Sequence, residues 1–224
     1  MTSYHELLIQ SAKEKKNLLC MGLDPILEKI PLSGSIYEKL TNFYVLILQA
    51  IKKSHYQPSI IKPNYAYFEQ YGIEGLTAMK DIIQKYNESG FLTILDAKRG
   101  DIGSSSQAYA NAAFDIWNAD AITVAPYMGT DSVSPFFKPG KGTYILCRTS
   151  NQGSSDFQNL ICHDRPLYIR VLEKTLSSWF YEGIGIVLGA THLLEMEQAF
   201  AVIKESKKSL AILIPGIGTQ GGDI

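Results

Sequence analysis

Seven short apolar runs, each followed by polar or helix-patterned sequence, constrain the fold of this chain more than any other feature. They lie at 18–22, 59–62, 91–96, 121–124, 143–146, 184–188 and 211–214. They are too short for helices and too continuous for strands with a wet face, so they read as strands buried on both sides. Between them the period changes. Segment 36–54 puts Leu40, Phe43, Tyr44, Ile47, Leu48 and Ile51 on one helical face, and 73–86 does the same with Leu76, Met79, Ile82, Ile83 and Tyr86. Segments 104–117, 166–180 and 193–207 continue the pattern, and 3–16 reads as an N-terminal helix. Such alternation specifies a parallel sheet covered by helices. On its own it leaves two architectures open, a doubly wound sheet and a closed barrel.

Composition narrows the class. A chain of 224 residues with 46% hydrophobic and 19% charged residues can bury one sizeable core, and no linker divides it, so 1–224 reads as a single domain. A net charge of −1 gives no basis for nucleic acid or an acidic membrane as partner. The basic run Lys13, Lys15, Lys16 reads as a solvated helix face. Cys20, Cys147 and Cys162 show no paired spacing, which is cytoplasmic usage rather than a disulfide framework. The N-terminus lacks the apolar stretch of a signal peptide, and the longest apolar run, 43–51, is too short to span a bilayer. The expectation is a soluble cytoplasmic protein.

Chemistry concentrates at the end of the third run. Asp96-Ala97-Lys98-Arg99-Gly100-Asp101 follows directly on apolar 91–95. Residues two apart on a strand share a face, so Asp96 and Lys98 are expected to point the same way, with Asp101 in the loop beyond. A salt-bridged strand end is the bland alternative. Asp24, Lys62, Asp96 with Lys98, Pro126, Ser150 and Gln220 all follow the ends of different runs. In a barrel those ends converge on one face, whereas in an open sheet they spread along an edge. The placement therefore favours the barrel. His5, His55, His163 and His192 are scattered, and neither a metal-ligand spacing nor a cofactor motif is visible.

The run 96–103, Asp-Ala-Lys-Arg-Gly-Asp-Ile-Gly, continuing through Ser104-Ser105 and Ala108-Tyr109-Ala110, resembles the D-x-K-x-x-D signature of the orotidine 5'-monophosphate decarboxylases, in their longer-chain bacterial subfamily. Further segments agree in order and spacing. They are Gly22-Leu23-Asp24-Pro25, Ile61-Lys62-Pro63-Asn64, 125–133 from Ala-Pro-Tyr-Met-Gly, Cys147-Arg148-Thr149-Ser150-Asn151-Gln152-Gly153, and 215–222 ending Gln-Gly-Gly. The resemblance implies a (β/α)8 TIM barrel acting without metal or cofactor on orotidine 5'-monophosphate. The products would be UMP and carbon dioxide, a step of de novo pyrimidine biosynthesis. It also implies a homodimer with composite sites.

The same resemblance distributes the roles. Lys98 stabilises and protonates the carbanion, a task its ammonium is chemically suited to. Asp96 lies by the substrate carboxylate, and Asp101 reaches into the partner's site. Asp24 and Lys62 contact the ribose, and Ser105, where the family usually has threonine, does so across the dimer. Ser150 reads the pyrimidine, while Gln220, Gly221 and Gly222 cradle phosphate. An eighth strand and a phosphate-gripping arginine, which the family has after this last loop, are missing from the chain, so the expectation is a C-terminally incomplete barrel. Two other functions compete. A magnesium-dependent sugar-phosphate decarboxylase of the same superfamily carries glutamate where this chain has Lys62. The other is a non-catalytic phosphate-binding barrel.

Overall fold

The computed structural model describes residues 2–216. Along the chain run α1 (Tyr4–Lys15), β1 (Cys20–Leu23), α2 (Ile36–Lys53), β2 (Ile60–Pro63), α3 (Tyr65–Glu69), α4 (Gly72–Asn87) and β3 (Leu92–Arg99). Then come α5 (Gly103–Asn111), β4 (Ala121–Val124), α6 (Thr130–Val133), β5 (Gly142–Arg148), and a hairpin of β6 (Ile161–Cys162) and β7 (Arg165–Pro166). The last elements are α7 (Leu167–Leu176), β8 (Ile184–Leu188), α8 (Leu193–Ser206) and β9 (Ala211–Leu213). All seven expected strands are present and all are parallel, in the order β1-β2-β3-β4-β5-β8-β9. The sheet curls into a half-barrel.

The helices form for local reasons. Ser3 with Glu6 and Ser35 with Glu38 make reciprocal capping boxes that satisfy free N–H groups at the starts of α1 and α2. Leu40, Tyr44 and Leu48, four residues apart, bury one stripe of α2, and the Tyr86 hydroxyl of α4 donates to the Tyr44 carbonyl at 3.0 Å. The expected helix at 104–117 is α only to Asn111 and continues as a π turn over Ala112–Ile116. The hairpin and the short helices α3 and α6 go beyond the sequence reading.

The barrel interior is a cluster drawn from every strand of the parallel sheet, including Cys20, Ile60, Ile94, Ala121, Tyr144, Val187 and Leu213. Helix α1 closes its floor. Tyr4 is fully buried, its hydroxyl 3.0 Å from that of Tyr144. His5 Nε2 lies 2.8 Å from the Ile184 carbonyl, and Ser11 donates to the Ser59 carbonyl at 2.7 Å. Two glycines make room for the tyrosines. A Cβ at Gly142 would stand 2.6 Å from the Tyr4 ring, and one at Gly185 2.7 Å from the Tyr144 ring. With the N-terminal ends plugged, the opposite rim, where the strands' C-terminal ends gather, is left for chemistry.

Candidate active site

On that rim β2 presents Lys62 and β3 presents Asp96 and Lys98. Lys98 Nζ donates to Asp96 Oδ1 at 2.6 Å, and Lys62 Nζ donates to Oδ2 of the same carboxylate at 3.1 Å. Asp96 and Lys62 are largely buried, whereas the Lys98 side chain is 51% exposed. Burial pushes the Asp96 carboxyl upward, but Lys62 and then Lys98 outweigh it and hold its pKa below the ordinary aspartate value. Burial likewise opposes the Lys62 ammonium, yet Asp96, followed by Asp24, raises its pKa above the lysine norm. The cluster is therefore a carboxylate clamped between two ammoniums, with Asp24 near enough to act on Lys62.

Asp96 and Lys98 meet as expected, but by a different route from strand alternation. Leu95 pairs with Ile122 and Arg99 with Val124, so three residues of β3 stand opposite Thr123 alone. The two extra residues form a bulge, and Lys98 takes a left-handed backbone with φ 47°. The bulge strips Ala97 and Lys98 of ladder partners for their N–H groups. The buried Thr123 hydroxyl accepts both, at 3.1 and 2.9 Å, and lies 3.0 Å from Asp96 Oδ1.

Asp101 does not touch Lys98 within the chain. Its backbone N–H is held by the hydroxyls of Ser106 and Ser132, at 3.2 and 3.1 Å, and its Oδ1 accepts from the Ile102 N–H at 2.8 Å. Of the two aspartates, Asp96 is the one that pairs with Lys98 within the chain, among the described residues. Asp24 is exposed on the loop after β1, with its carboxylate folded back over Gly22. Ser105 is exposed in the first turn of α5 and, among the described residues, makes no side-chain bond to the cluster. Ser150 lies in the loop after β5, against the end of β8, and its carbonyl accepts from the Thr191 hydroxyl at 3.1 Å. Gln220, Gly221 and Gly222 lie outside the described residues.

The sequence reading passed over Thr123, Ser106, Ser132 and Arg148. Arg148 ends β5 fully buried. Its guanidinium bonds the Ser154 hydroxyl and meets Glu195 of α8 at 3.3 Å. A charged residue at the end of an apolar run was the available signal for it. Thr123 gave none, because threonine is an ordinary strand residue. A cavity of about 640 Å³ lies elsewhere, between the β4 loop and α7, lined by Tyr127, Cys147, Phe157 and Tyr168. Neither Lys62, Asp96 nor Lys98 lines it. The charged cluster, unlike this apolar cavity, brings opposed ionised groups together.

Comparison with known proteins places the whole chain in a family. The family model described as orotidine 5'-phosphate decarboxylase / HUMPS family matches residues 17–224. An orotidine 5'-phosphate decarboxylase of Roseiflexus sp. (strain RS-1) is 39% identical over 226 residues, covering 99% of this chain and 80% of that protein. The solved structure of Leishmania donovani OMP decarboxylase superposes with a TM-score of 0.81 at 38% identity, over 96% of this chain and 80% of that one. Leishmania donovani UMP synthase gives 0.84 at 39% identity over all of this chain, which spans just under half (47%) of the synthase. With the signature residues clustered on the barrel rim and the match running almost end to end, the chain belongs to the orotidine 5'-phosphate decarboxylase / HUMPS family.

Proposed function

We infer that Lys62, Asp96 and Lys98 form the decarboxylating centre, with Lys98 as the proton donor. The chain is an orotidine 5'-monophosphate decarboxylase, a carboxy-lyase yielding UMP and carbon dioxide. Breaking the ring–carboxylate bond releases carbon dioxide and leaves the electron pair on a ring carbon. That carbon has no adjacent electron sink, so the stabilising charge must come from the protein. The Lys98 ammonium supplies it and then gives that carbon a proton, becoming a neutral amine that reprotonates from solvent. One observation carries this assignment. Lys98 is the half-exposed cation of the cluster, held at 2.6 Å by a carboxylate that Lys62 also neutralises. It can therefore face a ligand without abandoning a bare buried charge. Asp96 positions the two ammoniums and raises the pKa of Lys62.

The remaining roles follow the family resemblance. Asp24 and Lys62 bind the ribose, Ser150 the pyrimidine, and Gln220, Gly221 and Gly222 the phosphate. Binding energy gathered at the remote phosphate lowers the chemical barrier where it drives closure. The protein acts as a homodimer in which Asp101 and Ser105 complete the partner's site. The exposed apolar side chain next to Asp101, Ile102 at 61%, supports this. Residues 1–224 act as one barrel domain. The three cysteines, all free, and the absence of any membrane-length apolar helix among the described residues support a cytoplasmic setting.

The test is turnover. Purified protein mixed with orotidine 5'-monophosphate should lose orotate absorbance and accumulate UMP in equal amounts. No loss with correctly folded protein would overturn the reading.

A further inference from the structure

We propose that Thr123 is the positioning residue that sets the aim of Lys98. The inference rests on the decarboxylating role given to Lys98 above. A hydroxyl has one proton and two lone pairs. Here both lone pairs are taken, by the Ala97 N–H at 3.1 Å and the Lys98 N–H at 2.9 Å. The proton has one remaining direction, toward Asp96 Oδ1 at 3.0 Å, so Thr123 donates to that carboxylate. The same oxygen receives the Lys98 ammonium at 2.6 Å. A single buried group thus holds the backbone of Lys98 and the anchor of its side chain at once.

The geometry explains why such a group is needed. The bulge places three β3 residues opposite one residue of β4, and Lys98 sits at φ 47°, a conformation uncommon outside glycine. Nothing in the strand ladder pairs the two released N–H groups. Thr123 is 1% exposed, so water is poorly placed to substitute for its hydroxyl. Without it, two part-buried donors lose their acceptor and the left-handed turn loses its support. The Lys98 ammonium, carried on a long flexible stem, would then sample positions away from the reacting carbon. A displacement on the order of 1 Å at a reacting group can cost about 100-fold in rate.

The role predicts a particular kinetic signature. The Thr123 hydroxyl bonds Ala97, Lys98 and Asp96, and neither Asp24 nor Lys62, so its loss should fall on the chemical step. Thr123→Val keeps the shape and removes the hydroxyl. It should lower kcat by about 10- to 100-fold while KM changes less than about threefold. Thr123→Ser restores the hydroxyl and should recover most of kcat. Wild type and Lys98→Ala are run alongside. An active wild type and an inactive Lys98→Ala uphold the function and the role of Lys98, so that a Thr123→Val enzyme with unchanged kcat overturns this inference alone. Failure of Thr123→Ser to rescue would also overturn it, since it would assign the effect to the methyl group. Should Thr123→Val not fold, Thr123→Ala carries the same comparison. Failure of both to fold would make the hydroxyl a folding requirement and refute the positioning role.

Discussion

Replacing Lys98 by alanine separates chemistry from stability, and the structure sets both magnitudes. The side chain is about half exposed, so its pair with Asp96 is screened by solvent and contributes about 0–1 kcal/mol to folding. After the substitution Asp96 still receives Lys62 at 3.1 Å and the Thr123 hydroxyl at 3.0 Å, so no buried charge is abandoned. The melting temperature should move by only a few degrees. Activity should behave oppositely. Loss of a general acid costs about 10²–10⁴-fold, and loss of a preorganised charge at the carbanion about 10²–10³-fold more. One residue supplies both effects, so turnover should fall by about 10⁴-fold or beyond. The assay is loss of orotate absorbance under saturating substrate, with thermal unfolding followed by circular dichroism on the same preparation. Turnover within tenfold of wild type would refute the role of Lys98. A collapse in melting temperature would refute the claim that the clamp survives its removal.

Three further outcomes follow from the same geometry. Asp96 has a depressed pKa, so its ionised form favours the folded state above the ordinary aspartate value, and that stability is lost as pH falls through the lower, folded value. Between neutrality and about pH 5 no activity limb should trace to Asp96, and an acid limb near 6 that disappears in Asp96→Asn would contradict this. Exhaustive chelation should leave turnover unchanged, because Lys62 and Lys98 already occupy the carboxylate a cation would need. Activity lost in EDTA and restored by magnesium would favour the sugar-phosphate branch of the superfamily. Mixing Lys98→Ala with Asp101→Ala should regenerate about a quarter of wild-type activity, since random exchange makes half the dimers mixed, each with one intact site. No regain despite demonstrated exchange would return Asp101 to its own chain's site.

Local pattern determined a great deal of this protein. The seven strands and the long helices were legible because each is specified by its own period, two-sided burial for the strands and a single apolar stripe for α2 and α4. Lys62, Asp96 and Lys98 were legible as a site because charge at the end of an apolar strand is costly unless paired. What stayed hidden depends on partners distant in the chain. Thr123 looks like any strand threonine until folding sets it against Asp96, 27 residues away. Arg148 finds Glu195 at a separation of 47 residues, and Tyr4 finds Tyr144 at 140. The hairpin at 161–166 is too short to carry a period of its own. The sequence by itself thus determined which segments form the parallel sheet and which charged residues gather at the end of β3. The β3 bulge, the left-handed Lys98 and the hydroxyl beneath them were decided only by tertiary structure. They come from how two neighbouring strands of unequal residue count are paired, and neither strand records that alone.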